Sequence, residues 1–279
     1  MNPFADITLA RRIERLGTSS QRQFVAAYTE RFPELCAAGL DVAGGAAAFL
    51  ELGSPVNGAV GLGLNGEVDA ESLIQVERFF REREERPLIA VAPLVDPSLT
   101  RLLELRGWVP SAFENVLVRA LEPADEFAPP PPDVEIRLAR TAEELELWGI
   151  LVANGFSAPD DPTPMELRLG CAAAAAPDGR FLLAYVDGAP AGTGELHLQD
   201  GVGWLTADTT LPQFRRRGVQ GALQRARLEI ARDAGCDLAL TEAIPGSASQ
   251  RNMERLGFGI VYTRVEALAP EYPPERTDS

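Results

Sequence analysis

Thr210-Leu211-Pro212-Gln213-Phe214-Arg215-Arg216-Arg217-Gly218-Val219-Gln220-Gly221-Ala222-Leu223 joins a strand-like run, Trp204 to Thr210, to a helix-like run, Val219 to Ala234. In the second run Val219, Leu223, Ala226, Leu228 and Ile230 recur at helical spacing. Three arginines and two glycines therefore fall on the turn that opens a helix. The first backbone N–H groups there have no intrahelical partner, and the helix dipole favours a negative ligand. Glycine lets the backbone approach a phosphate, and successive turn N–H groups form a nest around its oxygens. The stretch reads as an anion cradle. A solvated basic turn is the competing reading, and the order of the surrounding elements decides between them.

The chain has 279 residues, 46% hydrophobic and 24% charged, long enough for two ordinary domains. No apolar run reaches the length of a membrane span, and Met1 to Gly17 carries acids and arginines without an apolar signal core. The expectation is a cytoplasmic protein with no membrane partner. Cys36, Cys171 and Cys236 are widely spaced and odd in number, which fits reduced thiols. With His197 the only histidine, a His-based metal cluster is excluded, and no metal is expected. A net charge of −15 argues against nucleic acid as a partner and makes the arginines at 215–217 a local exception.

Taken in order, the pattern predicts a helix over 6–31 with a break at Thr18-Ser19-Ser20, then strands within 40–52 and 56–64. A helix over 68–85 capped by Asp69, a strand at 88–95, a helix over 96–106 stopped by Gly107 and a strand at 113–121 close the first half. Acidic residues and then Pro129 to Pro132 make a stiff connector. The second half reads as a strand at 134–138, helices over 141–154 and 165–175, and three strands at 180–186, 191–198 and 203–210. The turns between those strands are Asp187-Gly188 and Asp200-Gly201. After the arginine turn and its helix come a strand at 237–243, a helix over 247–256 and a last strand at 258–268. The expected domains are 1–122 and 133–270, with a linker at 123–132 and a frayed tail at 271–279. The halves repeat: Leu238-Ala239-Leu240 parallels Ile89-Ala90-Val91 at an offset of 238 − 89 = 149, and Gly257-Phe258 parallels Gly107-Trp108 at an offset of 257 − 107 = 150.

The second half resembles the GNAT (Gcn5-related N-acetyltransferase) family. The resemblance rests on element order and on two motifs, Arg215-Arg216-Arg217-Gly218-Val219-Gln220 and the late helix ending Leu256-Gly257-Phe258. It implies an α/β fold of two tandem GNAT-like domains, each a twisted mixed sheet flanked by helices. It also implies acetyl-CoA as co-substrate, held by Thr210, Leu211, Arg215, Arg216, Arg217, Gly218, Val219, Gln220, Gly221 and Ser249. Two departures stand out. Gln220 occupies a position usually Gly or Ala, and Met253 the position of the usual general-acid tyrosine. In the first half Gly66-Glu67-Val68-Asp69-Ala70-Glu71 replaces the arginine turn with acids. That copy is expected not to bind CoA and to serve as scaffold, substrate-pocket wall or dimer contact.

The resemblance places the acetyl carbonyl near a β-bulge at Asp208, with an amine attacking directly in a ternary complex. Trp204 and Thr206 occupy the family's usual base positions and cannot serve as bases; with Glu242 they are expected at the acceptor pocket. The candidate bases are Asp208, Glu195 and His197, the last two sharing a strand face. Against the bases stand plain roles: solvent-facing strand residues for Glu195 and His197, a satisfied bulge carboxylate for Asp208. Glu242 reads more simply as a surface carboxylate. The expected activity is transfer of an acetyl group to a primary amine of a small molecule or peptide, with a homodimer as one arrangement. The alternative is a non-catalytic acyl-CoA-binding or sensing protein.

Overall fold

The computed structural model describes residues 3–271. The expectation for the tail beyond Glu271 falls outside these residues. Helix α1, Ile7–Arg31, starts at Asp6, whose carboxylate accepts from the Leu9 N–H at 2.8 Å. The break expected at Thr18 does not occur. Thr18 is buried, its hydroxyl donates to the Glu14 carbonyl at 2.8 Å, and the helix runs on for 25 residues. Where one strand was expected around Gly44-Gly45, there is a hairpin, β1 (Ala38–Val42) and β2 (Gly45–Phe49). Next come β3 (Gly58–Val60), α2 (Ala70–Arg81), β4 (Leu88–Val91), α3 (Pro97–Leu105) and β5 (Val109–Ala120).

The second half runs β6 (Val134–Leu138), α4 (Ala142–Ser157), α5 (Pro164–Ala173), β7 (Gly179–Val186), β8 (Ala189–Gln199) and β9 (Val202–Thr210). It ends with α6 (Val219–Asp233), β10 (Leu238–Ala243), α7 (Ala248–Arg255) and β11 (Gly259–Leu268). Local chemistry sets most boundaries. Thr141 and Thr163 form capping boxes with Glu144 and Glu166, and Asp187-Gly188 and Asp200-Gly201 take the paired positive φ of tight hairpin turns. Among the described residues no helix is long and apolar enough to cross a membrane.

Among the described residues eleven strands form one mixed sheet in the order β1-β2-β3-β4-β11-β5-β10-β9-β8-β7-β6. The last strand of each half crosses into the other: β11 lies against β4 of the first half, and β5 against β10 of the second. β5 and β11 pair antiparallel at the centre, where Glu114 faces Arg264, and 264 − 114 = 150. Repeat-equivalent positions thus meet across a pseudo-twofold axis. Their opposite charges make an ion pair where identical residues would have set like charges together. Helix α1 covers one face of this centre through Leu9, Ile13 and Leu16, packed on Val116, Val118, Leu238 and Leu240. The other face carries Leu228 of α6 and Met253 of α7 on Leu117, Leu196, Leu205 and Ala239.

Because β5 fills the gap beside β10, residues 133–271 made alone would expose a long apolar sheet edge. That fragment is expected to aggregate, and co-expression with residues 3–122 to return a soluble one-to-one complex. Size-exclusion chromatography of the two preparations checks this.

Candidate functional site

β9 and β10 run parallel and pair only at Val202–Trp204 with Leu238–Leu240, after which their ladder ends. Beyond that point β9 bulges. Thr209 faces Thr193 and Thr206 faces Glu195, so Ala207 and Asp208 together oppose Gly194, with Ala207 at φ 51°. The bulge rests on Arg227, a fully buried guanidinium on α6. It donates to the carbonyls of Glu195 (3.0 Å) and Thr206 (2.9 Å) and pairs with the Asp208 carboxylate. Burial pushes the Asp208 carboxyl up, while the Arg227 charge and hydrogen bond pull against it. Asp208, expected as a candidate base, is therefore tied to a structural cation.

A cleft of about 830 Å³ opens beside the bulge, between the start of α6 and α7. Gly218 caps α6 at φ 80°, and a Cβ there would come within 2.9 Å of Pro131. The first helical bond runs from Ala222 N–H to the Gly218 carbonyl, so the N–H groups of Val219, Gln220 and Gly221 precede it. Arg215 and Arg216 line the cleft, as do Arg225, Arg255, Thr210 and Ser249. Two buried polar atoms in its wall, Thr210 Oγ1 and Gln224 Nε2, have no partner. The Gln220 side chain accepts from Asn252 Nδ2 at 2.7 Å, tying α6 to α7.

Two expected cleft residues are placed otherwise. Arg217 turns away to an ion pair with Asp133 and Asp187, because those carboxylates meet at the β6–β7 edge. Leu211 packs on the cluster around Trp148 and Phe181, and its N–H donates to the Ala191 carbonyl at 2.9 Å. Met253 is buried in the core beneath α7, and among the described residues no tyrosine lines the cleft. Arg225, Arg255 and Gln224 were missed by the sequence reading; their spacing on α6 and α7 was the available signal.

On the α1 face, a second cavity of about 330 Å³ brings both halves together. Glu195, His197, Trp204, Thr206 and Glu242 line it, with Arg264 and Glu114 from the β5–β11 pair and Glu14 and Phe24 from α1. Glu195 and His197 are not solvent-facing: both are buried, Glu195 Oε1 lies 2.8 Å from His197 Nε2, and the imidazole lies 5.4 Å from the Trp204 ring. Nor is Glu242 a surface group. It accepts from Trp204 Nε1 at 2.8 Å and pairs with Arg264. Burial opposes the Arg264 charge, but Glu14, Glu242 and Glu114 hold the guanidinium firmly protonated. Burial and the Glu242 charge push the Glu114 carboxyl up to about 7 against the pull of Arg264.

The first half's equivalent of the arginine turn is already occupied. Asp69 caps α2 by accepting from the Ser72 N–H at 2.8 Å, which holds its carboxyl below the usual range, and the Val68 N–H donates to Ser98 Oγ at 2.8 Å.

Residues 144–258 match the model of the Acetyltransferase (GNAT) family. Among solved structures, the chain is similar to a GCN5-related N-acetyltransferase from Kribbella flavida (TM-score 0.63, 19% identity, 90% of this chain and 96% of that one). It is also similar to a tandem GNAT protein from the clavulanic acid biosynthesis pathway (TM-score 0.61, 15% identity, 90% and 88%). A third is a GCN5-related N-acetyltransferase from Sphaerobacter thermophilus (TM-score 0.54, 19% identity, 77% and 73%). No curated protein matches. The chain has the GNAT superfamily fold in tandem, as one extended mixed sheet flanked by helices.

The raised Glu114 carboxyl makes stability depend on pH. Below the ordinary glutamate range the group is protonated folded and unfolded; as pH rises from that range through about 7 the unfolded chain is ionised while the folded one still holds its proton, so folding loses stability. Glu114→Gln removes that loss. Its melting temperature relative to wild type is expected to be higher at about pH 8 than at about pH 5.

Proposed function

We propose that the protein is an acetyl-CoA-dependent N-acyltransferase that uses the second-half cleft for the co-substrate and the second cavity for a primary amine. The observation that carries this reading is the cleft itself. Its helix start faces a splayed parallel strand pair, carries arginines in a protein of net charge −15, and has two orphaned buried polar atoms in the wall. These residues fit an extended anionic ligand with amide groups. The free N–H groups of Val219 to Gly221, with Arg215 and Arg216, would receive the pyrophosphate. Gln224 Nε2 would donate to a pantetheine carbonyl, and Thr210 would meet the chain of the same arm. Acetyl-CoA supplies the thioester whose carbonyl carbon the amine attacks.

The Glu195–His197 pair is the base this reading favours. Glu195 accepts from Nε2, which leaves Nδ1 to take the proton the attacking nitrogen must lose. As the new C–N bond forms, the C–S bond breaks and the electron pair leaves on sulfur. With no tyrosine in the cleft, departure relies on the acidity of the thiol, whose reference pKa is about 8.5. Arg227 acts as a positioning residue that fixes the bulge. The first half, its helix start capped by Asp69, binds no CoA and contributes the wall of the acceptor cavity.

Two measurements test this. Arg215→Glu/Arg216→Glu is expected to weaken acetyl-CoA binding by about a hundredfold or more by calorimetry, whereas Arg217→Glu has a much smaller effect. An unchanged affinity in the double variant removes the pyrophosphate assignment. His197→Asn is expected to lower kcat/KM for CoA release by about a hundredfold or more while leaving the acetyl-CoA-induced melting shift intact. Acetyl-CoA binding without CoA release in wild type, across an amine panel, would favour the sensing alternative.

A further inference from the structure

The second cavity is rich in acceptors and poor in free donors. Arg264 is engaged by Glu14 at 2.7 Å, Glu114 at 3.2 Å and Glu242. Trp204 Nε1 is engaged by Glu242, and His197 Nε2 by Glu195. The wall's own carboxylates thus already hold its guanidinium, indole and imidazole donors. Four carboxylates, Glu14, Glu114, Glu195 and Glu242, face one arginine, a formal excess of 4 − 1 = 3 negative charges around about 330 Å³. On the same wall Gln21 Oε1 is a buried acceptor with no partner. Phe24 and Trp204 add aromatic faces, which suit a cation or a methylene chain.

The reacting nitrogen cannot answer this charge. It must be neutral when it attacks, and once acylated it carries no charge at all. The carboxylates at the Glu114 and Glu242 end therefore call for a second nitrogen that stays protonated through the reaction, and a substrate carboxylate would be repelled there. The volume accommodates a short aliphatic or ring framework between the two nitrogens.

We propose that the acceptor is a polyamine-type molecule, carrying besides the amine that is acylated at least one further cationic nitrogen and no carboxylate. This rests on the transferase reading above. The raised Glu114 carboxyl agrees with it. The groups facing Glu114 are Glu242 on β10, Arg264 and Glu266 on β11; a bound cation would relieve the repulsion there and release a proton.

The test measures CoA release by full-length protein with 1,5-diaminopentane, spermidine, pentylamine and 6-aminohexanoate. The diamine and spermidine are expected to exceed pentylamine in kcat/KM by about tenfold or more, with 6-aminohexanoate lowest. Glu114→Gln, checked for folding by its melting curve, is expected to lower the diamine-to-pentylamine ratio, and diamine KM in wild type to fall as pH rises through about 7. Pentylamine or 6-aminohexanoate matching the diamine overturns the acceptor class and leaves the transferase reading standing. Turnover of none of the four overturns the class as well. In that case the acetyl-CoA melting shift tells whether the cofactor assignment falls with it: a shift keeps the cleft assignment, and no shift removes it.

Discussion

Arg264 is the charge on which both halves of the molecule close. It sits on β11, the strand given by the second half to the first, and it gathers Glu14 from α1, Glu114 from β5 and Glu242 from β10. Tyr262, two residues earlier on the same strand face, donates to Glu14 at 2.8 Å. Removing Arg264 from this buried set leaves its carboxylates uncompensated, at a cost of roughly 3–5 kcal/mol. An apolar centre would pack as well, so stability alone does not explain this arrangement. What the ion cluster adds is register: β5 and β11 can slide past one another only by breaking it, and their register fixes how the two halves meet.

The same exchange makes the second cavity a joint product. Its floor is β8 and β9 of the second half, its centre is the β5–β11 pair, and its roof is α1. The two halves of the tandem fold differ in outcome. The second half keeps an open helix start with arginines, whereas the first fills its own with Asp69 and Ser98 and lends walls instead. Glu114 and Arg264, equivalent in the repeat, have become opposite charges facing each other, which a self-paired copy could not do.

Along β9 alternate side chains serve opposite faces. Leu205 joins the core beneath α6, while Trp204 and Thr206 enter the cavity beneath α1. The bulge then breaks that alternation just where the strands part, and Arg227 fixes it from behind by binding two carbonyls and Asp208. A co-substrate in the cleft and an amine in the cavity would thus approach from opposite sides of a single strand.

Much of this was legible in the residues. Caps at Asp69, Thr141 and Ser247, the Asp-Gly turns and the arginine turn with its glycines are local devices, and each acts within a few residues of itself. The repeat offset of 150 also pointed to the paired halves. Other features were not legible, because they depend on partners far away in the chain. Nothing near Arg217 announces Asp133 and Asp187, and nothing near Asp208 announces that Arg227 will claim it. Glu195, His197 and Glu242 read as strand residues of uncertain facing until α1 covered them. The sequence alone determined most of the elements, the tandem order and the arginine turn that opens α6, since these follow from short-range periodicity and backbone geometry. Only the tertiary structure decided the strand exchange and the acidic cavity, because charge pairs and burial are set by which distant segments the sheet brings together.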